Sequence, residues 1–154
     1  MGAKAIQLAA RRGASVIATA RPGEEAHFVT GLGAKHTVDY TADLAPQVRA
    51  IAADGVDAAI HLAGDGLELA GLVRPGGRFA STLGVGTDQL SDKDLEATAV
   101  VAMPTRDVLD TLAEEVVAGE LHVAIGRTYE LEQVPQAIKE FAQGSLGKYA
   151  VTIS

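Results

Sequence analysis

With 154 residues, 47% of them hydrophobic and 21% charged, the chain has the size of one globular domain able to bury roughly 70% of its unfolded surface, which argues against disorder and against a two-domain enzyme. Thirteen Lys and Arg against twenty Asp and Glu leave a formal charge of -7, the wrong sign for nucleic acid or an anionic membrane as partner. The absence of Cys excludes disulfides, thiolate catalysis and Cys-rich zinc sites within the chain.

In chain order, residues 2–12 read as a helix closed by Gly13, and residues 15–20 as a strand. Pro22 and Gly23 open a second helix with Glu24 and Glu25 at its positive end, and Gly31 and Gly33 close it before a strand at 36–40. A helix at 43–53 leads to a near-continuous apolar strand at 56–63, the pattern of a strand buried on both faces, and a helix at 66–73 follows. The VRPGG segment is expected to turn the chain into a strand at 78–83. After a polar stretch at 87–94 come a strand at 96–103, a helix at 106–118, an extended segment at 122–129, a helix at 134–143 and a last strand at 149–153. Short β-branched runs between Ala-rich helices predict an α/β protein with a parallel sheet and helical crossovers. No apolar run approaches the ~20 residues of a transmembrane helix and no signal-peptide pattern is present, so a cytoplasmic protein is expected.

Open parallel sheets bind ligands outside the carboxyl ends of their strands, which directs attention to three such ends. At Thr19-Ala20-Arg21 an NAD-binding fold would place Asp or Glu to hold the ribose hydroxyls. Small residues followed by Arg suit the 2'-phosphate of NADP(H) instead, because a planar guanidinium pairs with two phosphate oxygens. Alternatively, Arg21 is a solvated side chain before a turn. Ala63-Gly64-Asp65-Gly66 and Leu83-Gly84-Val85-Gly86 put a glycine pair after each of two apolar strands. These read as two walls of a binding crevice, or as turns that need positive φ and nothing more.

Other constellations are lacking. His27, His36, His61 and His122 have no metal-ligand spacing, so no metal site is expected. Ser81 and Ser145 lack the GxSxG elbow, and no carboxylates stand at a spacing that forces them together. His61 reads as a satisfied core residue inside its strand, and Lys148 as a turn lysine. No general acid, base or nucleophile is predicted.

The order of these segments resembles the cofactor-binding half of the medium-chain dehydrogenase/reductases, a family that includes zinc-type alcohol dehydrogenases, and in particular its quinone oxidoreductase-like, zinc-independent branch. GAKAIQLAARRGASVIATA is similar to that family's first crossover helix and second strand, LGAKHTVDYT to its third strand and VDAAIHLAG to its fourth. LVRPGGRFASTLG resembles the segment leading into the fifth. RTYELEQVPQAIKEFAQGSLGKYAVTI is the most specific match, since helix, Gly, two residues and GK before an apolar strand close the chain in that family.

The resemblance covers nearly all of the chain and implies a Rossmann-like doubly wound parallel sheet that lacks its first strand. Residues 1–154 would form a single, partial dinucleotide-binding domain, because the family's N-terminal catalytic domain, first strand and Gly-rich phosphate turn have no counterpart in this sequence. The resemblance further implies Gly2 near the pyrophosphate, Thr19, Ala20 and Arg21 near the adenosine phosphate, and Gly64, Leu83 and Gly84 near the nicotinamide. The implied function is to bind NADP(H) for an oxidoreductase that moves hydride between the nicotinamide and a quinone, enone or similar carbonyl compound. The chain alone would be inactive, as the family's substrate pocket lies between two domains.

Two other function classes remain open at this point. LVRPGGRF before a strand also resembles a late turn of S-adenosylmethionine-dependent methyltransferases, although Thr19-Ala20-Arg21 offers no acid at the end of the second strand. A non-catalytic interaction or assembly module is the third reading. In the order 3-2-1-4-5-6, loss of the central strand would open the edges SVIATA and AAIHLA, so a homo-oligomer, a partner supplying the missing domain or a rearranged sheet is expected. Met1 falls where the family has Val, just before the last glycine of the phosphate turn, and the reading frame is expected to continue upstream.

Overall fold

Alternation of helix-forming Ala and Leu runs with β-branched runs fixes the order of elements. In the computed structural model, which describes residues 1–153, that order is α1 (Gly2–Arg11), β1 (Ile17–Thr19), α2 (Glu24–Gly31), β2 (His36–Val38), α3 (Leu44–Ile51), β3 (Val56–His61), α4 (Gly66–Ala70), β4 (Val73–Ser81), β5 (Leu95–Ala99), α5 (Arg106–Val117), β6 (Ile125–Glu130), α6 (Val134–Ala142) and β7 (Lys148–Thr152). Among the described residues the strands form three sheets, ordered β1-β2, β3-β4-β5 and β6-β7. Pairing is parallel from β3 to β4, from β4 to β5 and from β6 to β7. This is the α/β architecture of a Rossmann-like fold.

The chain divides into two compact units, Met1–Thr37 with the segment from Arg106 onward, and Val38–Thr105. In the first unit, Ile6 of α1 packs with Ala18 of β1 and Ala34, and Val16, Val29 and Leu32 close around them. Small residues at 18 and 34 let the helices approach the strand. The Gln7 side chain fastens α1 to the turn before β6, accepting from His122 N at 2.7 Å and donating to His122 O at 3.0 Å. At the other end of this unit Tyr129 of β6, only 6% exposed, stacks near Tyr149 of β7 with ring centres 5.3 Å apart. Its hydroxyl donates to Glu140 of α6 at 2.7 Å.

In the second unit the core is Ala70, Val73, Phe79 and Leu90, with Val56, Ala59, Leu69, Val85, Leu95 and Ala97 packed around it. Phe79 is 1% exposed, and burying a side chain of this size is worth about 1.5–3 kcal/mol. Both helices here begin on an aspartate. Asp43 accepts from Ala45 N at 2.9 Å, and Asp65 accepts from Leu67 N at 2.8 Å and Glu68 N at 3.2 Å, each satisfying amides that a helix start leaves unpaired.

Several strand boundaries depart from the sequence-based expectation, three of them for reasons visible in the structure. β4 begins at Val73, not at residue 78: Val73 pairs with Val56, the chain makes an excursion through Pro75 and Gly76, and Arg78 then pairs with Ala58. The VRPGG turn exists, embedded in the strand and tied down by Gly76 N donating to Asp94 O at 2.8 Å. β5 ends at Ala99 instead of reaching residue 103, because its partner β4 ends opposite it at Ser81. Beyond that pair Val101 and Met103 are 79% and 77% exposed. β3 stops at His61, whose side chain is committed to the loop that follows.

Candidate functional site

The sequence-predicted residues fall at two places, one in each unit. In the first unit Gly2 opens α1, and Thr19, Ala20 and Arg21 leave the end of β1. Thr19 is exposed, whereas Ala20 is buried at 3%. Pro22 and Gly23 turn the chain so that the first turn of α2 folds back over Arg21. The Glu25 carboxylate accepts the Arg21 backbone N–H at 2.8 Å through Oε2 and the guanidinium Nε at 2.8 Å and Nη2 at 2.5 Å through Oε1. Arg21 O in turn accepts from Ala26 N at 3.1 Å. The strand end that lacks an acid in sequence therefore receives one in space. Sequence reasoning missed Glu25, although its spacing of four from Arg21 was the available signal. Near the start of α1 the Lys4 ammonium donates to His122 O at 2.6 Å; burial and, secondarily, the charge of Lys148 hold its pKa below the ordinary lysine value.

In the second unit Gly64 follows β3 and Leu83 and Gly84 follow β4, and two buried polar side chains join these ends. His61 and Ser81 are 2% and 0% exposed. His61 Nδ1 lies 3.0 Å from Ser81 Oγ and Nε2 lies 3.1 Å from Gly64 O. Ser81 Oγ also accepts from Leu83 N at 3.1 Å and Val85 N at 3.3 Å. The partners assign the hydrogens. A carbonyl can only accept, so Nε2 carries a hydrogen and donates to Gly64 O; Ser81 Oγ has both lone pairs occupied by amides, so its own hydrogen goes to Nδ1. Every donor and acceptor in the cluster is then used. His61 stacks on Phe79, with ring centres 6.0 Å apart, which carries the cluster into the core.

His61 is thus the satisfied core residue that its strand context predicts, and Ser81, unremarkable in sequence, is the hub to which the loop at 83–85 is tied. A Cβ on Gly66 would lie 2.8 Å from the His61 ring and 2.9 Å from Val85, so only glycine lets α4 start this close to the imidazole. Gly64 and Gly84 differ from Gly66. Both have positive φ, 81° and 84°, and a Cβ on either would meet nothing within 4 Å. The turn requires glycine at these two positions, and each leaves a bare stretch of backbone facing open space. Leu83 beside them is 56% exposed.

A bare, glycine-built strand end in each of two adjacent parallel strands suits the close approach of a dinucleotide. A zinc ion is not suited in the same way, since among the described residues no three His, Asp or Glu side chains converge on one point, and both ring nitrogens of His61 are engaged. Two shallow hollows run along α5, one lined by Leu8, Arg12 and Val108 among others, and neither contains a predicted site residue. No helix among the described residues is long and apolar enough to cross a membrane.

Fold and strand ends together define an α/β dinucleotide-fold protein of the medium-chain dehydrogenase/reductase type. The sequence profile of the zinc-binding dehydrogenase family matches residues 32–151, and the chain belongs to that family. Among solved structures it is similar to an NAD-dependent alcohol dehydrogenase (24% identity, TM-score 0.81, 99% of this chain and 48% of that one). It is also similar to the quinone oxidoreductase of Pseudomonas syringae pv. Tomato DC3000 (25%, TM-score 0.75, 99% and 53%). A third likeness is to the CurK enoyl reductase (23%, TM-score 0.80, 97% and 50%). The chain spans about half the length of these structures. No curated protein sequence matches it.

Proposed function

We propose that the chain is the NADP(H)-binding portion of a cytoplasmic oxidoreductase acting on a quinone, enone or similar carbonyl compound. The observation that carries this reading is the pair of open glycine turns at Gly64 and Gly84, held in fixed relation by the buried His61–Ser81 hydrogen bond at 3.0 Å. The quinone oxidoreductase and the enoyl reductase among its structural neighbours support the substrate class. A bound nicotinamide supplies the hydride, and the chain's share is to seat and orient it. Gly64, Leu83 and Gly84 offer backbone and an exposed apolar side chain, while Thr19, Ala20 and Arg21 face the adenosine end, and Gly2 the pyrophosphate. The substrate side of the pocket is contributed by a further domain or by a partner chain, so the chain by itself gives no sustained turnover with NADPH and a panel of quinones and enones.

The test is a thermal-shift titration with NADPH, NADH and S-adenosylmethionine. NADPH at a hundred times its Kd stabilises the folded chain by about 2.7 kcal/mol and raises Tm accordingly. A shift with S-adenosylmethionine and none with either dinucleotide would replace this reading by the methyltransferase one. Arg21→Ala is expected to weaken NADPH by about tenfold or more, the value of one charge-assisted phosphate contact, and to leave NADH little changed. Equal loss of NADPH and NADH affinity in Arg21→Ala, or no loss of either, would remove the 2'-phosphate assignment.

A further inference from the structure

The end of β1 presents an arginine already claimed by a carboxylate. We propose that Glu25 is a specificity-determining residue: its carboxylate competes with the adenosine 2'-phosphate for the Arg21 guanidinium and so restrains the preference for NADP(H) that Arg21 alone would confer. The inference rests on the assignment of the adenosine end to Arg21 made above.

Three observations carry it. First, Glu25 occupies the Nε and Nη2 positions of the guanidinium, at 2.8 and 2.5 Å. That is the edge through which an arginine grips two oxygens of one phosphate side by side. Second, the two partners are unequally free. The Arg21 side chain is 60% exposed, whereas that of Glu25 is 20% exposed. The Glu25 carboxylate is also anchored independently of the guanidinium by the Arg21 backbone N–H at 2.8 Å, and the same peptide segment is closed by Ala26 N donating to Arg21 O at 3.1 Å. When the guanidinium turns toward a phosphate, the carboxylate stays where it is. Third, a carboxylate that stays is a fixed negative charge beside an incoming phosphate dianion, and the first turn of α2 adds Glu24 to it. Binding NADP(H) therefore breaks one ion pair and meets a like charge, while NAD(H), which lacks the phosphate, meets neither.

The variant that isolates this effect is Glu25→Gln. It keeps the size of the side chain and one oxygen to accept the Arg21 N–H, and it replaces the oxygen that holds the guanidinium by an uncharged amide group. Since the chain contains no Trp, dinucleotide binding can be followed by the fluorescence of the reduced nicotinamide. Dissociation constants are to be measured for NADPH and NADH with the unmutated protein, Glu25→Gln, Arg21→Ala and the double variant, at low and high salt. We expect Glu25→Gln to tighten NADPH about five- to twentyfold, a surface ion pair plus one like-charge contact, and to change NADH by less than about twofold. The gain should shrink at high salt, and in the Arg21→Ala background it should fall to the part due to like-charge repulsion alone. NADPH binding that is unchanged or weakened by Glu25→Gln overturns the inference and leaves the proposed function standing. Weakening of NADH by Glu25→Gln also overturns it, and would mark the carboxylate as a ribose-hydroxyl acceptor. Failure of all four proteins to bind either dinucleotide overturns the proposed function and this inference with it.

Discussion

Ser81 shows how much one small buried side chain can hold. Its hydroxyl serves the His61 imidazole and the amides of Leu83 and Val85 at once, so Ser81→Ala leaves one buried and two partly buried polar groups short of a partner and creates little space. At about 1–3 kcal/mol per unsatisfied buried group, partly relieved by water, a loss of about 2–4 kcal/mol is expected from urea denaturation, together with faster amide exchange at Leu83 and Val85. Gly66→Ala tests the same cluster from its other side. The new methyl has no room beside the His61 ring, and a destabilisation of about 1–3 kcal/mol is expected from overpacking. If both variants unfold at the same denaturant concentration as the parent, the cluster has no structural role. Gly66 was legible as one of a glycine pair after its strand, but Ser81 was not legible as special from sequence. A serine two positions before a loop leucine carries no periodic signal, and its significance arises from long-range pairing of β3 with β4. Glu25 was read as a helix-start acid and its pairing with Arg21 was missed for a related reason, since the expected acid was sought on the strand and the structure supplies it from the next helix.

At the scale of elements, β6, α6 and β7 share a polar cluster centred on Glu140, which accepts from Tyr129 and Gln136, both within 2.8 Å, and pairs with Arg127. Hydrogen bonds from Gln136 and then Tyr129, with the Arg127 charge behind them, hold the Glu140 pKa below its ordinary 4.5. A folded-state pKa depressed in this way contributes stability that is present above the unfolded value and is lost as pH falls through the folded one. The packing of α6 on β6 and β7 is therefore expected to loosen below about pH 4.5, read from the aromatic signals of Tyr129 and Tyr149, and Glu140→Gln should flatten that dependence. A cap offers a second element-scale test: Asp65→Ala, which removes the acceptor for the first amides of α4, should cost about 1 kcal/mol. Helices were the most legible elements in the sequence, because Pro22 and Gly23 mark a start and Gly13 and Gly33 follow ends. Strand limits were less legible. Where β4 and β5 stop depends on what lies opposite, and no local pattern in residues 73–77 distinguishes a turn before a strand from an excursion within it.

At the scale of the whole molecule, the separation of the strands into three sheets is the dominant feature. Among the described residues β1 pairs with β2 alone and β3 with β4 alone, and Ile60 of β3 is 51% exposed. Open strand edges of this kind recruit other strands, so self-association, or association with another chain, is expected. Light scattering after size exclusion should report more than a monomer, and Ile60→Lys should shift the distribution toward monomer. A monodisperse, thermally robust parent would speak against this. The parallel α/β organisation was legible through the family resemblance, but the separation of the strands into three sheets followed only from their hydrogen bonds. The buried imidazole of His61 has one use at this scale. Because Gly64 O and Ser81 Oγ hold the ring in one tautomer, its two nitrogens carry well-separated nitrogen-15 signals. Any ligand or neighbouring chain that displaces the loop after β4 must disturb Ser81 and move them. The protein thus contains its own spectroscopic gauge of whether that strand end is occupied, readable without catalysis and without a label on the ligand.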